Sequence, residues 1–334
     1  MQDLSGMIKG KKILVTGGTG TIGQQIVKII LDYEPEVVRV FSRDEHKQYL
    51  MQQDLTSLGT DEDRIRFLLG DVRDKERLNR AMENIDIVFH LAALKHVPAC
   101  EYNPSEAVKT NVIGTQNVID CAINNGVAKI VYASTDKAAS PTNTMGASKL
   151  LAERLIASAD QWKGPREIKF LSVRFGNILN SRGSVVPLFN RQIKEGGPVT
   201  VTEPAMTRFV MGVDQAVELI FRSLGMARGG ETFVFKMPVL CIGDLAQAMI
   251  DLSGQAVEVQ KIGLRPGEKM YEELMSEEES VRALETDELF IILPFHKHVA
   301  GAVAQYGGAK PAQYGVYSSD DEALLSLLQI QELL

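Results

Sequence analysis

The sequence predicts an α/β fold in which a doubly wound parallel sheet is joined to a smaller C-terminal lobe. Short apolar stretches with strand character alternate with helical stretches from residue 12 to residue 174, which is typical of parallel sheets with helices on both faces. A glycine-rich turn links the first strand to the first helix. The alternation then loosens. We therefore expect residues 1–177 to form one domain and residues 178–334 mainly a second, with part of the 205–240 region returning to the first.

The first strand, at residues 12–16, is followed by a GxxGxxG motif and then by a helix. In this setting Gly17 permits a tight turn, Gly20 lets the backbone approach a pyrophosphate, and Gly23 lets the helix pack closely on the strand. The N-terminus of the helix then presents unpaired N–H groups to the phosphates. The motif predicts a Rossmann-type dinucleotide site, with a plain tight turn as the alternative. The predicted contacts are Gly17, Thr19, Gly20, Thr21, Ile22 and Gly23.

The second strand ends in Ser42 and Arg43, with Lys47 one helical turn further on. An acidic residue at this strand end would accept hydrogen bonds from a ribose diol and favour NAD, whereas a hydroxyl group and two cations suit a 2′-phosphate. We therefore expect NADP as the cofactor and regard NAD as less favoured. In the alternative interpretation, Arg43 and Lys47 form a solvated rim with Asp44 and Glu45.

Two further strands end in residues that suit the same cofactor. Residues 65–69 lead to Asp71 and Val72, which predict a carboxylate at the adenine amino group and an apolar contact with the ring. Residues 85–90 lead to small residues that would let the backbone lie close to a bound cofactor, and Asn111 is predicted to begin the next helix. The additional predicted cofactor contacts are Ala92, Ala93, Lys95 and Asn111.

The strand at residues 129–133 is followed by a row of polar residues, namely Ser134, Thr135, Asp136 and Lys137. A turn comes next, and then a helix that carries Met145 and Lys149. A hydroxyl group, a carboxylate and an amine just beyond a strand are components of proton-transfer chemistry. The ordinary alternative is a strand that ends in a polar loop. Because ligands of doubly wound sheets bind beyond the carboxyl ends of the strands, we predict this stretch to be the active centre.

The less regular C-terminal half contains Arg208, in the sequence MTRF, and Arg265, in RPGEK. Both suit a second diphosphate group, and a local salt bridge is the alternative for each. The segment from about residue 272 is acidic and then apolar. We predict that it is a packing or oligomer element.

Composition limits the classes of function. The net charge of −7 argues against a general binder of nucleic acid or membrane surfaces, which is normally basic. The three cysteines have neither disulfide nor metal spacing, so we expect no metal site and a reducing, cytoplasmic environment. We find no signal peptide and no apolar run of membrane-spanning length. We expect a homo-oligomer with no membrane partner.

The segments STDKA, MGASK, RFGN, SRGSVVP, MTRF and RPGEK together resemble the extended short-chain dehydrogenase/reductase superfamily. Within it, they are most similar to nucleotide-sugar 4,6-dehydratases that act on UDP-N-acetylglucosamine, in the flagellin-sugar and capsule-sugar branches. The resemblance covers nearly the whole chain. It implies a lyase that makes a UDP-4-keto-6-deoxy-HexNAc for bacterial surface or flagellar glycans.

The resemblance also implies a mechanism in which a hydride passes from the sugar C4 to NADP⁺, water is lost across C5–C6, and the hydride returns at C6. Thr135 would bind O4, Asp136 would protonate the departing 6-hydroxyl group, Lys137 would remove the C5 proton, and Lys149 would hold the nicotinamide ribose. A neutral Lys137 would require burial and a neighbouring cation, such as Lys149, to lower its pKa. The implied substrate contacts are Lys95, Asn177, Val186, Pro187, Arg208, Arg265 and Glu268.

Met145 lies four residues before Lys149, where most members of the superfamily have a tyrosine base. A thioether has no proton to exchange, so we expect Asp136, directly or through a water held by Thr135, to take the proton of the C4 hydroxyl group. Two alternatives stay open: a UDP-sugar 4-epimerase, which normally keeps the tyrosine, and a non-catalytic NADP-binding scaffold or sensor. Retention or inversion at C5, and release of an unsaturated intermediate, are all compatible with these residues.

Overall fold

The computed structural model describes residues 4–181 and 183–334; Arg182, in the SRGSVVP segment, lies outside the described residues. The strands in chain order are β1 Lys12–Thr16, β2 Val37–Ser42, β3 Ile65–Leu69, β4 Ile87–His90, β5 Lys129–Ala133, β6 Lys169–Arg174, β7 Asn177–Ile178, β8 Val199–Val201, β9 Thr207–Met211, β10 Glu231–Phe235, β11 Val239–Cys241, β12 Val259–Lys261, β13 Glu273–Met275, β14 Ala283–Glu285, β15 Leu289–Ile292, β16 Lys310–Pro311 and β17 Tyr317–Ser318.

The α-helices are α1 Leu4–Ile8, α2 Thr21–Leu31, α3 Glu45–Ser57, α4 Lys75–Ala81, α5 Val97–Tyr102, α6 Pro104–Ala107, α7 Gly114–Asn125, α8 Thr144–Trp162, α9 Val185–Lys194, α10 Val213–Met226, α11 Ile242–Ser253, α12 Glu277–Ser280, α13 Val299–Ala302 and α14 Leu327–Leu333. A π-helical segment, Val108–Ile113, joins α6 to α7. Short 3₁₀ helices occur at Glu62–Arg64, Asp136–Ala138 and Val303–Gln305.

Within the described residues, a ten-stranded sheet has the order β16-β14-β15-β10-β6-β5-β4-β1-β2-β3. The strands from β10 to β3 run parallel, and β15, β14 and β16 are added antiparallel at one edge. The order of the first six strands is 3-2-1-4-5-6, which defines a doubly wound nucleotide-binding sheet. The predicted α/β fold of the Rossmann type is therefore confirmed.

Successive side chains of each parallel strand enter two apolar layers on opposite faces of the sheet. In β1, Ile13 and Val15 pack with α2 and α10, whereas Leu14 packs with α4, α7 and α8. This follows from the two-residue period of a strand. Because both faces are buried, the strands are almost continuously apolar in sequence, and their carboxyl ends meet at one edge of the sheet.

A smaller lobe is built from the short sheets β11-β9-β7 and β12-β8. Helices α9, α11 and α14 surround its core, which includes Phe189, Leu245 and Ile330. The apolar end of the chain, predicted to be a packing or oligomer element, packs here through α14. Among the helices that the structure describes, none is both long and apolar enough to cross a lipid bilayer.

The C-terminal half also contributes to the large sheet. Strand β10, from the region predicted to return, pairs with β6, and β14 and β15 follow it as antiparallel neighbours. The sequence does not predict the return of β14 and β15, because it predicts a packing or oligomer element from about residue 272. The large sheet therefore contains strands from both sides of residue 177.

Asn111 does not begin a helix, contrary to the prediction. It lies within the π-helical segment, which continues the helix that starts at Pro104 and leads directly into α7. Proline is favoured at the first helical position, where its missing N–H costs nothing. Pro104 therefore supplies the start that the sequence analysis assigned to Asn111.

Candidate active site

A cavity of about 740 Å³ opens at the carboxyl ends of β1, β2, β4 and β5. The predicted residues that line it are Gly17, Thr19, Gly20, Thr21, Ile22, Gly23, Ser42, Arg43, Lys47, Asp71, Val72, Ala92, Ala93, Lys95, Thr135, Asp136, Lys137, Met145, Lys149 and Asn177. Predicted residues outside this lining are Asn111, Val186, Pro187, Arg208, Arg265 and Glu268.

The glycine turn fits a bound dinucleotide. Gly17 has a φ of +69°, and a Cβ there would lie 2.8 Å from the backbone nitrogen of Ala92. A Cβ at Gly23 would lie 2.7 Å from the carbonyl oxygen of Gly17, so helix α2 packs directly on the turn. Gly20 is the N-cap of α2. A Cβ added there would lie 3.2 Å from the carbonyl oxygen of Gly17 and would have no other heavy atom of the described residues within 4 Å. The N-terminus of α2 therefore faces the cavity, where it can bind phosphate oxygens.

The end of β2 joins the cavity through Ser42, whose Oγ lies 3.0 Å from Oγ1 of Thr19. Lys47 forms an ion pair of 2.6 Å with Asp44, as in the solvated-rim interpretation. Arg43 instead approaches Asp71, with 3.6 Å between Nη1 and Oδ2, and its side chain is 58% exposed. Hydroxyl and cationic groups are therefore available together at this strand end.

Asn111, predicted to contact the cofactor, forms hydrogen bonds to the backbone of the loop after β4. Its Oδ1 accepts a hydrogen bond of 2.7 Å from the Leu94 N–H, and its Nδ2 donates to the Leu94 carbonyl oxygen at 3.0 Å. The same amide nitrogen donates to Oγ of Ser148 on α8 at 2.9 Å. Asn111 therefore ties the loop after β4 to the helix that carries Lys149.

The polar stretch after β5 folds into a 3₁₀ turn that gathers three donors around one carboxylate. Oδ1 of Asp136 accepts hydrogen bonds from Oγ1 of Thr135 at 2.7 Å and from the Lys137 backbone N–H at 2.9 Å. Nζ of Lys137 lies 3.1 Å from the same oxygen. The Asp136 side chain is only 1% exposed, so this carboxylate is held in one position at the floor of the cavity.

Glu272, which the sequence analysis did not select, lies beside Lys137. Its Oε1 is 3.1 Å from Nζ of Lys137, which thus sits between two carboxylates. Burial alone would lower the pKa of Lys137, but Asp136 and Glu272 outweigh burial and raise it. The expectation of a lowered pKa is therefore wrong: the close neighbours are anions, and the Lys149 amine donates to Ala133 instead. Glu272 adjoins β13, far along the chain, and no local pattern marks it.

Lys149 is buried at the inner end of the cavity. Its Nζ donates to the carbonyl oxygen of Ala133 at 2.5 Å and lies 4.3 Å from the centre of the Tyr132 ring. Burial lowers the pKa of Lys149 to about 7, and the charge of Glu153 opposes the shift only in part. Lys149 therefore exchanges between ammonium and amine near neutral pH.

The C-terminal arginines lie outside the cavity lining. Arg208 is buried, and its guanidinium donates to the carbonyl oxygens of Thr207 at 2.7 Å and Lys269 at 2.8 Å. It therefore holds the RPGEK loop rather than facing the cavity. Arg265 is half-exposed, and its Nη1 lies 4.0 Å from Oε1 of Glu268. Arg265 therefore has the local salt bridge of the alternative interpretation, whereas Arg208 donates to backbone carbonyl oxygens and forms no salt bridge among the described residues.

Two other predicted substrate residues lie in the first turn of α9. Val186 is buried in the core of the smaller lobe, and Pro187 is exposed. The cavity is lined instead by Gly183 and Ser184, just before that helix. Oγ of Ser184 is buried without a hydrogen-bond partner among the described residues, so it is available to a ligand. The sequence predicts the apolar pair as substrate contacts and gives no local signal for this hydroxyl group.

Across residues 4–181 and 183–334, no group of histidine, cysteine, aspartate and glutamate side chains is arranged to hold a metal ion. The Asp136, Lys137 and Lys149 side chains, which line the cavity, can supply acid–base chemistry next to a cradle for a dinucleotide.

Comparison with known proteins agrees with this architecture. A family model described as "Polysaccharide biosynthesis protein" matches residues 13–294. An uncharacterized membrane protein of Methanocaldococcus jannaschii is 51% identical over 88% of this chain and 89% of its own length. The UDP-N-acetylglucosamine 4,6-dehydratase (inverting) of Campylobacter jejuni strain 81-176 is 41% identical, over 88% and 86%. The UDP-glucose 4-epimerase of Rickettsia canadensis is 39% identical, over 98% and 96%.

Two solved structures are also similar. Pen from Bacillus thuringiensis superimposes with a TM-score of 0.90 at 49% identity, covering 98% of this chain and 97% of that one. The dTDP-glucose 4,6-dehydratase DesIV of Streptomyces venezuelae, with NAD and TYD bound, gives a TM-score of 0.69 at 25% identity, covering 78% and 86%.

Proposed function

Because this chain belongs to the family of polysaccharide biosynthesis proteins and has the extended short-chain dehydrogenase/reductase fold, we propose that it is a UDP-N-acetylglucosamine 4,6-dehydratase. The observation that carries the proposal is the pair Asp136 and Lys137, held side by side at the cavity floor with Met145 where most of the superfamily has tyrosine. A 4,6-dehydratase needs an acid and a base directed at adjacent carbons. The identity of 41% with a dehydratase acting on this substrate supports the same activity.

A nicotinamide cofactor fits the cradle formed by the glycine turn, and NADP is the form that we propose. When bound, NADP⁺ supplies a hydride acceptor for C4 and, once reduced, a hydride donor for C6. The N-terminus of α2 would hold the pyrophosphate, Ser42 and Arg43 the 2′-phosphate, and Lys149 the nicotinamide ribose. Asp71 and Val72 would contact the adenine. The exposed side chain of Arg43 is free to turn from Asp71 towards a phosphate.

The chain's own residues then move the protons. Thr135 binds the sugar O4, and Asp136 takes the proton of the 4-hydroxyl group as the ketone forms. The ketone acidifies the C5 hydrogen, which Lys137 removes. Asp136 passes its proton to the 6-hydroxyl group, which leaves as water, and Lys137 returns a proton to C5. Both side chains end the cycle as they began, so the net reaction is loss of one water molecule.

The UDP moiety would lie between the cavity and the C-terminal lobe. Asn177 and Lys95 line the cavity and are suited to contact it directly. Arg265, half-exposed and only loosely paired with Glu268, is suited to the diphosphate after a rotation of its side chain. Arg208 would act indirectly by holding the RPGEK loop. We also propose a homo-oligomer.

A UDP-sugar 4-epimerase is the second candidate, because proteins with that name match 98% of this chain at 39% identity. Epimerisation also begins with oxidation at C4, but it needs no acid and base at C6 and C5. Asp136 would still take the proton of the 4-hydroxyl group, but Lys137 would have no role. We therefore place the epimerase second.

The test is incubation with UDP-N-acetylglucosamine and NADP⁺ in deuterated water, with the product read by proton NMR. A dehydratase replaces the C6 hydroxymethyl signals with a methyl signal, and the coupling constants report the C5 configuration. An epimerase preserves the hydroxymethyl group and inverts C4. No product from any UDP-sugar would overturn both proposals in favour of a non-catalytic scaffold.

A further inference from the structure

The geometry points to Glu272 as the residue that receives a proton from Lys137 and thereby makes Lys137 a base, an inference that rests on the proposed dehydration. Glu272 lies outside the polar stretch after β5 and belongs to none of the motifs in the sequence. The structure brings it to the same place through the pairing of β13 with β17.

Glu272 is buried, and hydrogen bonds to Ser319 hold its backbone in place. Its backbone N–H donates to Oγ of Ser319 at 3.0 Å, and its carbonyl oxygen accepts from the Ser319 N–H at 2.9 Å. The whole residue is 3% exposed. Oε1 faces Lys137 at 3.1 Å, whereas Oε2 is buried without a hydrogen-bond partner among the described residues. The other charged groups that act on this carboxylate are Asp136 and Arg208.

The arrangement creates a chemical requirement. An ammonium group has three donors and no lone pair, so Lys137 cannot take the C5 proton while it is protonated. Two adjacent carboxylates favour that protonated form. The proton must therefore move to a neighbour before C5 is deprotonated. Asp136 is unsuitable, because in the proposed cycle it takes the proton of the 4-hydroxyl group.

Glu272 meets this requirement. Burial raises the pKa of its carboxyl group, and Lys137 and Arg208 oppose the shift only in part. A bound sugar that excludes water from the cavity disfavours a separated ion pair and favours the neutral pair of amine and carboxylic acid. The proton then moves from Nζ to the Glu272 carboxylate, and Lys137 gains the lone pair that accepts the C5 proton. When product leaves, the same proton returns and restores the ion pair.

The competing role for Glu272 is that of a fixed counter-ion, which would hold Lys137 in place without exchanging a proton. The two roles differ in their dependence on pH. Without an internal acceptor, Lys137 must lose its proton to the solvent, so turnover should rise about tenfold per pH unit below its pKa. A counter-ion that only positions Lys137 would, when removed, lower turnover by a similar factor at every pH.

The experiment measures kcat and KM from pH 6 to 9 for the wild type, Glu272→Gln and Glu272→Asp, all loaded with NADP⁺. The matched control is Glu278→Gln, the same change at a carboxylate that is 63% exposed. We expect Glu272→Gln to lower kcat about 100-fold at pH 7, with little change in KM and with the steep rise towards high pH. Reduced nicotinamide should accumulate in its single-turnover absorbance trace, because C4 oxidation precedes the blocked step.

Glu272→Asp keeps a proton acceptor, so the pH profile of its kcat should stay as flat as that of the wild type. If the glutamine variant does not fold, the aspartate variant still tests the role of Glu272. Unchanged turnover in Glu272→Gln, an equal loss at every pH, or a steep profile in Glu272→Asp would overturn the inference. The activity of the wild type distinguishes a failure of the proposed function from a failure of the role proposed for Glu272. If it fails to dehydrate UDP-N-acetylglucosamine, the proposed function fails. If it succeeds and Glu272→Gln matches it, only the role of Glu272 fails.

Discussion

Met145 lies one helical turn before Lys149 on α8, and the two side chains line the same cavity. Spacing of four residues puts them on one face of the helix. Met145 is 4% exposed and packs against Cys100 and Ala107. The position thus contributes apolar surface beside the cofactor cradle, and it has no proton to give or take.

We predict that Met145→Leu leaves turnover within about threefold of the wild type. The two side chains have similar volumes, and such exchanges cost less than about 1.5 kcal/mol of stability. Steady-state kinetics with UDP-N-acetylglucosamine, together with thermal unfolding, measure both effects. A loss of about 100-fold without unfolding would show that the thioether takes part in the reaction.

Asp136→Asn should reduce turnover by at least about 100-fold, the usual contribution of a positioned acid or base. Asparagine preserves the shape and the contact with Thr135 but cannot take the proton of the 4-hydroxyl group. The control is Asp54→Asn, the same change at an exposed position of α3. Single-turnover absorbance should show no reduced nicotinamide in Asp136→Asn, because C4 oxidation itself is blocked. Near-wild-type turnover would refute the assigned role of Asp136.

Arg43→Ala should raise the dissociation constant for NADP⁺ about tenfold and leave that for NAD⁺ nearly unchanged. Hydrogen bonds to a charged group contribute roughly 1.5–3 kcal/mol, and only NADP⁺ carries the 2′-phosphate. Calorimetric titration of both cofactors gives the comparison, with the exposed Arg80→Ala as control. Equal weakening for both cofactors would place Arg43 elsewhere on the dinucleotide.

The features of the fold and the site that could be predicted are those formed by residues consecutive in the sequence. The glycine turn, the strand ends and the polar stretch after β5 each depend on consecutive residues, and the parallel sheet brings them to one edge. Glu272 reaches Lys137 through tertiary contacts, among them the pairing of β13 with β17, which no local pattern reveals. The contact of Arg208 with the carbonyl oxygen of Lys269 is hidden in the same way, because the two residues lie about 60 positions apart in the chain.

His90 should make the protein sensitive to acid. It is completely buried between Thr16 and Thr115, and burial, together with the charge of Lys149, lowers its pKa from 6.5 to about 3. Between these values the unfolded chain binds a proton that the folded protein does not, so stability falls as the pH falls from about 6.5 to about 3. Below about 3 both states are protonated, and this contribution to the slope ends.

In His90→Asn the titrating group is absent. The free energy of unfolding of the wild type should therefore decline more steeply than that of the variant, by up to about 1.4 kcal/mol per pH unit in this window. Urea unfolding curves at a series of pH values measure both slopes. Parallel slopes would mean that His90 titrates alike in the folded and unfolded states.

Substitution of Arg174, which lies outside the cavity, should strongly lower the free energy of unfolding. It is fully buried, and its guanidinium lies 2.5 Å from Oε2 of Glu153 and 2.8 Å from Oε2 of Glu279. Nη1 also donates to the carbonyl oxygen of Leu274 at 2.8 Å, so one side chain links β6, the helix that carries Lys149, and the strand next to Glu272. Arg174→Met would leave the buried carboxylate of Glu153 unpaired and that of Glu279 with only Arg282, 3.9 Å away, and should cost about 3–5 kcal/mol.

The matched control for this prediction is the triple variant Arg174→Met, Glu153→Gln and Glu279→Gln, in which neither carboxylate that pairs with Arg174 remains charged. Because replacing a whole buried ion network by neutral groups is often nearly neutral, the triple variant should recover most of the loss in urea unfolding. It should also leave Lys149 with a lower pKa, because the charge of Glu153 raises that pKa in the wild type. If the triple variant is no more stable than Arg174→Met, the loss comes from the missing contact with Leu274 rather than from the unpaired charges.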